Sequence, residues 1–186
     1  ADVHNNQYLY ASFERSGYLE LYRSTNSGLD WNLIFSYYFD DTEITYCIVP
    51  DPTNSGYIYA SVIVNEWLLF WDYPFFKSTD YGQSWLSRGA ISGKIFKDPL
   101  NENVIYIHGK TDSEEGVFKS TDRGFLWNKI LDRSSGFFKI NHLISDVIYY
   151  SFEDTLEISV DGGESWEKIP IPREIQNLYI DPFIST

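Results

Sequence analysis

Ser78-Thr-Asp-Tyr-Gly-Gln-Ser-Trp85 decides the reading of this chain, because three other segments align with it without a gap. They are Ser24-Thr-Asn-Ser-Gly-Leu-Asp-Trp31, Ser120-Thr-Asp-Arg-Gly-Phe-Leu-Trp127 and Ser159-Val-Asp-Gly-Gly-Glu-Ser-Trp166. The shared pattern is Ser-x-Asp-x-Gly-x-x-Trp, with Asn26 in place of Asp in the first copy. Six tryptophans occur in 186 residues and four of them fall at one position of this pattern, which composition alone does not produce. The residue types suit a tight turn. Asp80, Asp122 and Asp161 accept bonds from turn amides, Gly28, Gly82, Gly124 and Gly163 take a conformation closed to other residues, and Trp31, Trp85, Trp127 and Trp166 are expected to be largely buried between blades.

A second element precedes the later boxes. Asp51-Pro52, Asp98-Pro99 and Asn141-His142 each stand eight residues before a tyrosine: Tyr59, Tyr106 and Tyr149. Those tyrosines lie in apolar runs (Tyr57-Ile-Tyr-Ala-Ser61, Val104-Ile-Tyr-Ile-His108, Val147-Ile-Tyr-Tyr-Ser151), and Tyr8-Leu-Tyr-Ala-Ser12 supplies a fourth. Aromatic residues make up 18% of the chain, as suits pleated, half-buried strands. One unit reads strand A, a turn, strand B, a hairpin, strand C, the box, then strand D. The boxes start 54, 42 and 39 residues apart, the length of one four-stranded propeller blade.

The chain resembles the Asp-box (BNR) repeat family of sialidases, sortilin-type receptor domains, some glycoside hydrolases and photosystem assembly factors. The resemblance implies an all-β fold: a four-bladed Asp-box β-propeller, one domain over 1–186. It also implies a structural role for Ser24, Asn26, Gly28, Trp31, Ser78, Asp80, Gly82, Trp85, Ser120, Asp122, Gly124, Trp127, Ser159, Asp161, Gly163 and Trp166. A metal at each box is not expected, since each brings one dependable acid. The expected blades are 175–186 plus 1–38, then 44–91, 93–132 and 136–172. The segment Ile175-Gln-Asn-Leu-Tyr-Ile-Asp181-Pro182 has the form of a strand A with no strand B after it, while the N-terminal region opens on a strand B. Pairing of Ile175–Ile180 with Gln7–Phe13 closes the first blade. The competing arrangement exchanges that strand between subunits.

Fourteen Lys and Arg stand against 27 Asp and Glu, a net charge of −13, which argues against a nucleic-acid partner. No apolar run is long enough to span a membrane. The lone cysteine, Cys47, excludes an intrachain disulfide framework, and no His-x-x-His or Gly-rich phosphate loop is present, so no metal or cofactor is expected. The absence of any Met suggests a processed or excised chain, and with it a secreted or cell-surface destination.

Departures from the repeat locate a candidate surface. The hairpin between strands B and C is enlarged in blade two by Asn65–Phe76, the most aromatic stretch of the chain, and the connection from blade one to blade two is enlarged around Tyr37–Glu43. Both belong on the face opposite the boxes, where Trp67, Trp71, Tyr73, Tyr37 and Tyr38 with Asp40, Asp41 and Glu43 form the expected binding site. Aromatics beside acids suit a protein interface or a sugar ring. Sialidase-like chemistry needs an arginine cluster, and the six arginines do not supply it with Arg23 and Arg123 at the box face. The expected function is therefore a non-catalytic binding or assembly module with a protein partner, self-association by strand exchange included. A glycosidase or glycan-binding propeller is the alternative.

Overall fold

The computed structural model describes residues 5–38, 44–64 and 74–181, and all regular structure there is antiparallel β-strand, with no helix able to cross a membrane. Blade one holds β1 (Leu9–Arg15), β2 (Tyr18–Ser24) and β3 (Asn32–Tyr38). Blade two holds β4 (Ile44–Pro50), β5 (Ile58–Val64), β6 (Pro74–Ser78) and the start of β7 (Leu86–Lys97). The rest of β7 opens blade three, with β8 (Ile105–Thr111), β9 (Glu115–Ser120) and β10 (Asn128–Leu131). Blade four is β11 (Phe137–Ile140), β12 (Ile148–Phe152), β13 (Thr155–Ser159) and β14 (Glu167–Pro170). No turn separates blades two and three. Ala90 pairs with Pro74 but Ile91 pairs with Thr111, so one strand leaves the outside of one blade and becomes the inside of the next.

The box turns fold as their composition demands. In the second, the Ser78 hydroxyl donates to Asp80 Oδ1 (2.8 Å) and accepts the Gly82 amide (2.8 Å), while Asp80 accepts the Ser84 amide (2.9 Å). The other three repeat this pattern, with Asn26 Oδ1 taking the Asp30 amide in the first. Bonds from the Ser165 hydroxyl and amide and the Ser159 hydroxyl hold the Asp161 carboxyl well below its ordinary value. Burial pushes Asp80 and Asp122 upward, but their hydroxyl and amide donors outweigh it and leave both lowered. The Asp-to-Tyr spacing is equally physical. Asp51 Oδ1 accepts the Thr53 and Asn54 amides, closing an Asx turn, and its Oδ2 accepts the Tyr59 hydroxyl at 2.9 Å.

Three apolar cores join four blades. Leu19, Leu21, Ala60 and Phe76 fill the first, with Trp85 at its edge. Tyr59, Phe75, Ile95, Ile107 and Phe118 fill the second, with Trp127. Val104, Tyr106, Phe138, Ile148 and Tyr150 fill the third, with Trp166. Polar bonds cross the same seams: Arg23 Nη1 donates to Tyr81 O (2.6 Å), Trp85 Nε1 to Ile34 O (3.0 Å) and Gly93 N to Ser61 Oγ (3.0 Å). The box tryptophans lie less deep than expected. Trp85, Trp127 and Trp166 are half-buried, because each indole caps the end of a seam whose centre is filled by strand residues.

The expected closure of the first blade by the C-terminal strand is not formed. Blade one has three strands, and residues 175–181 form no strand with it. They lie on blade four instead, where Ile175 N donates to Ser151 Oγ (3.4 Å) and Lys139 Nζ to Leu178 O. The physical reason is the missing fourth seam: no apolar core among the described residues joins blade four to blade one, whereas blade four supplies Ser151 and Lys139 as partners for the segment.

Two outcomes follow from the turns and seams. A Cβ on Gly82 (φ +84°) would stand 2.5 Å from Ile34 Cδ1 of blade one, whereas one on Gly28 (φ +91°) meets nothing nearer than 3.4 Å. Both alanine variants carry the left-handed strain of roughly 1–2 kcal/mol, and Gly82→Ala adds overpacking of about 1–3 kcal/mol. Urea unfolding should rank Gly82→Ala clearly below Gly28→Ala, and equal losses would mean that blade one is covered like the others. The lowered carboxyls stabilise the fold above the unfolded value near ~3.9, and that contribution is lost as pH falls through their folded values. Asp161→Asn, which copies the first box, should flatten the fall of Tm below pH ~4, and an unchanged slope would refute the assignment.

Candidate functional site

The two enlarged connections leave the sheet side by side. Ile44 and Val64 are register partners, so segment 39–43 enters β4 at the position where segment 65–73 leaves β5. The box lies at the other end of the same strands, since Ser78 pairs with Ile58. The shared root on the face opposite the boxes thus follows from backbone pairing alone. Asp40, Asp41, Glu43, Trp67, Trp71 and Tyr73 themselves lie outside the described residues.

The described flank divides by strand parity. Tyr38 pairs with Tyr18 across the end of the β2–β3 ladder, and their rings meet at 5.0 Å with both side chains exposed. Tyr37 points to the other face, where it stacks on Phe35 and meets the Phe76 ring at 5.1 Å beside the buried Leu19 and Leu21. Tyr37 is therefore half-buried against this core, unlike the exposed Tyr38. Phe75 and Phe76, at the end of the aromatic stretch, are also buried, one in each adjoining seam.

A second surface was not legible as a site. On the outer face of blade one, Phe13, Glu14, Arg15, Glu20, Tyr22 and Trp31 line a groove of about 450 Å³. The Phe13 and Tyr22 rings meet edge to face at 5.5 Å, and the Tyr22 hydroxyl donates to Glu20 Oε2 at 2.9 Å. That bond, with the negative charge behind it, raises the Tyr22 pKa. A smaller polar hollow of about 300 Å³ lies on blade four, where the buried Glu157 carboxylate faces Arg133 at 3.7 Å and Lys168 at 3.6 Å.

Other candidate residues have structural surroundings. His108 packs against the Phe138 and Tyr150 rings, and burial lowers its pKa. Cys47 Sγ accepts the Ile95 amide across the blade two–three seam, and burial pushes the thiol up. His142 is exposed on a turn, and His4 lies outside the described residues. Among the described residues no three His, Cys, Asp or Glu side chains gather as a metal site.

No protein-family model matches the chain, and no curated protein does. Solved structures do. A GH74 enzyme from Niastella koreensis superposes with a TM-score of 0.70 at 19% identity, covering 92% of this chain and 29% of that one. The GH74 xyloglucanase from Xanthomonas campestris gives 0.57 at 16% identity, covering 89% and 32%. YCF48 bound to a D1 peptide gives 0.55 at 12% identity, covering 95% and 61%. The chain thus spans about a third or less of the GH74 chains it matches, and at these identities the likeness establishes the β-propeller fold.

The division of the two neighbouring tyrosines is directly measurable. Tyr37→Ala should cost about 2 kcal/mol or more as a partly buried aromatic truncation, whereas Tyr38→Ala should stay within roughly 0.5–1 kcal/mol. Equal losses in denaturant titrations would place both on the surface.

Proposed function

We propose that this chain is an Asp-box propeller module, non-catalytic, that binds a protein partner on the face opposite its boxes. The observation that carries the reading is the Ile44–Val64 pairing, which roots two independent insertions at one point of a rigid sheet. Sequence places Trp67, Trp71 and Tyr73 in one insertion and Asp40, Asp41 and Glu43 in the other, and the exposed Tyr18–Tyr38 pair stands at their foot. Aromatic rings beside carboxylates form the kind of anchor that dominates interface energetics, and they favour a partner segment carrying Lys or Arg. YCF48, a neighbour in fold, is bound to a peptide, which supports a peptide or protein partner here. A secreted or cell-surface setting accompanies this reading.

The test uses the purified chain against a displayed peptide library and, in parallel, a panel of oligosaccharides that includes xyloglucan fragments. The expected result is enrichment of basic peptides, with binding reduced at least ~30-fold (about 2 kcal/mol) in Trp67→Ala/Trp71→Ala. The Tm of that variant should be unchanged. Hydrolysis of any glycan that is lost in Asp40→Asn or Asp41→Asn would overturn the reading in favour of a glycoside hydrolase.

A further inference from the structure

The front of blade one is built as a seam and has no partner among the described residues. Leu9, Ala11 and Tyr22 occupy the positions that Ile58, Ala60 and Phe76 hold in blade two and Ile105, Ile107 and Phe118 hold in blade three. In those blades all six are buried against the preceding blade. In blade one Leu9, Ala11 and Tyr22 are only partly buried, and Phe13 on the same face is 54% exposed. Gly28 tells the same story. A Cβ on Gly82, Gly124 or Gly163 would strike Ile34, Phe75 or Ile130 of the blade before, whereas the nearest atom to Gly28 belongs to Leu9 of its own blade. The strand also lacks its inner neighbour. β5 and β8 each pair with an inner strand along their whole length, and among the described residues no strand pairs with the corresponding edge of β1.

Blade four presents the complement. Residues 175–181 follow β14 and lie where an inner strand lies on the blade before it. Ile175 N donates to Ser151 Oγ as Gly93 N donates to Ser61 Oγ, and Ser151 and Ser61 are equivalent positions of β12 and β5. Leu178-Tyr-Ile-Asp181 resembles Ile95-Phe-Lys-Asp98, the end of the inner strand of blade three, one residue out of step with that bond. Tyr179 in this segment is fully open to solvent. Among the described residues, blade four therefore carries an inner-strand segment without its blade, and blade one is a blade without its inner strand.

We infer that these two ends bind each other between two copies of this chain, head to tail, with residues 175–181 of one copy paired to the β1 edge of the next. The occupant is a second copy because the contact repeats an interface the chain already makes three times within itself. The same elements meet, the back of one blade with its inner strand against the front of the next. The contact is heterologous: two copies close a ring of eight blades, and further copies extend it. Strand addition supplies the backbone bonds, while Leu9, Ala11 and Tyr22 leave water as Ile58, Ala60 and Phe76 do in blade two and Ile105, Ile107 and Phe118 in blade three. This surface is separate from the insertion-bearing face proposed for a protein partner, and either can fail without the other.

Sedimentation of the whole chain across a range of concentrations, with hydrogen exchange on the same samples, tests this. The expected result is a dimer or larger species in which the amides of Leu9–Arg15 become protected. Phe13→Asp should disable the receiving face and Tyr179→Pro the incoming strand, each leaving monomer. Mixing the two variants regenerates one intact contact, so a heterodimer should form and stop there. Far-ultraviolet circular dichroism confirms that both variants remain folded. Monomer at every concentration overturns the inference, whether β1 exchanges freely or is protected by intrachain closure. So does a dimer that both variants retain.

Discussion

A sheet three or four strands wide has two faces, and the chain that forms it cannot cover both. Every blade here depends on its neighbour for one face of its core. The seam is where that dependence is met: Leu19 and Leu21 of blade one close over Ala60 and Phe76 of blade two, and the pattern recurs twice. Fully burying an aromatic or aliphatic side chain is worth roughly 1.5–3 kcal/mol, so a seam with four to seven such residues outweighs any single polar contact in the molecule. Stability is thus shared along the row of blades in the manner of a solenoid, with intrinsic blade terms and nearest-neighbour terms.

The box turn serves the seam. Its Ser and Asp absorb the turn amides internally, so the turn is satisfied without help from another blade. Its glycine then allows the preceding blade to approach to contact, and its tryptophan caps the end of the core. Buried polar groups elsewhere follow the same economy. Asp51 is nearly inaccessible, yet its carboxylate accepts two amides and two hydroxyls. Lys97 stands 3.9 Å away and places its ammonium on the Asp98 and Asn101 carbonyls. Burial lowers the Lys97 pKa, and the Asp51, Asp98 and Glu102 carboxylates act against that shift.

The sequence carried the periodic part of the structure well, because boxes and strands are local patterns with local causes. The turn bonds of Asp80, the Asx turn of Asp51 and the strands around Tyr59 and Tyr106 all appear where the residue types put them. Long-range pairing was less legible. Ile175–Ile180 has the composition of an inner strand, and composition cannot say which edge it joins; the bond to Ser151 does. The two tyrosines at the end of β3 show the limit at single-residue scale. A bulge beside Leu21 shifts the β2–β3 register, and strand parity then sends Tyr37 against the core and Tyr38 to the surface. The outer groove of blade one was missed because each of its residues reads as ordinary seam material. Its signal was the first box itself, whose Trp31 meets no preceding blade among the described residues.

The cations before the boxes bear on how regular the row is. Arg23 and Lys77 each reach across a seam to a carbonyl of the next box turn, and Lys119 reaches Asp146 of blade four. Ile158 holds the equivalent position in blade four, immediately before Ser159. The back of blade four is therefore more apolar than the backs of the three blades before it, just where it would meet the Leu29 and Trp31 side chains of a following first box. A cation facing an open seam stays hydrated, and desolvating it on association costs more than burying an isoleucine. The substitution thus fits a seam that forms after the chain has folded, whereas the lysines fit seams that form with it.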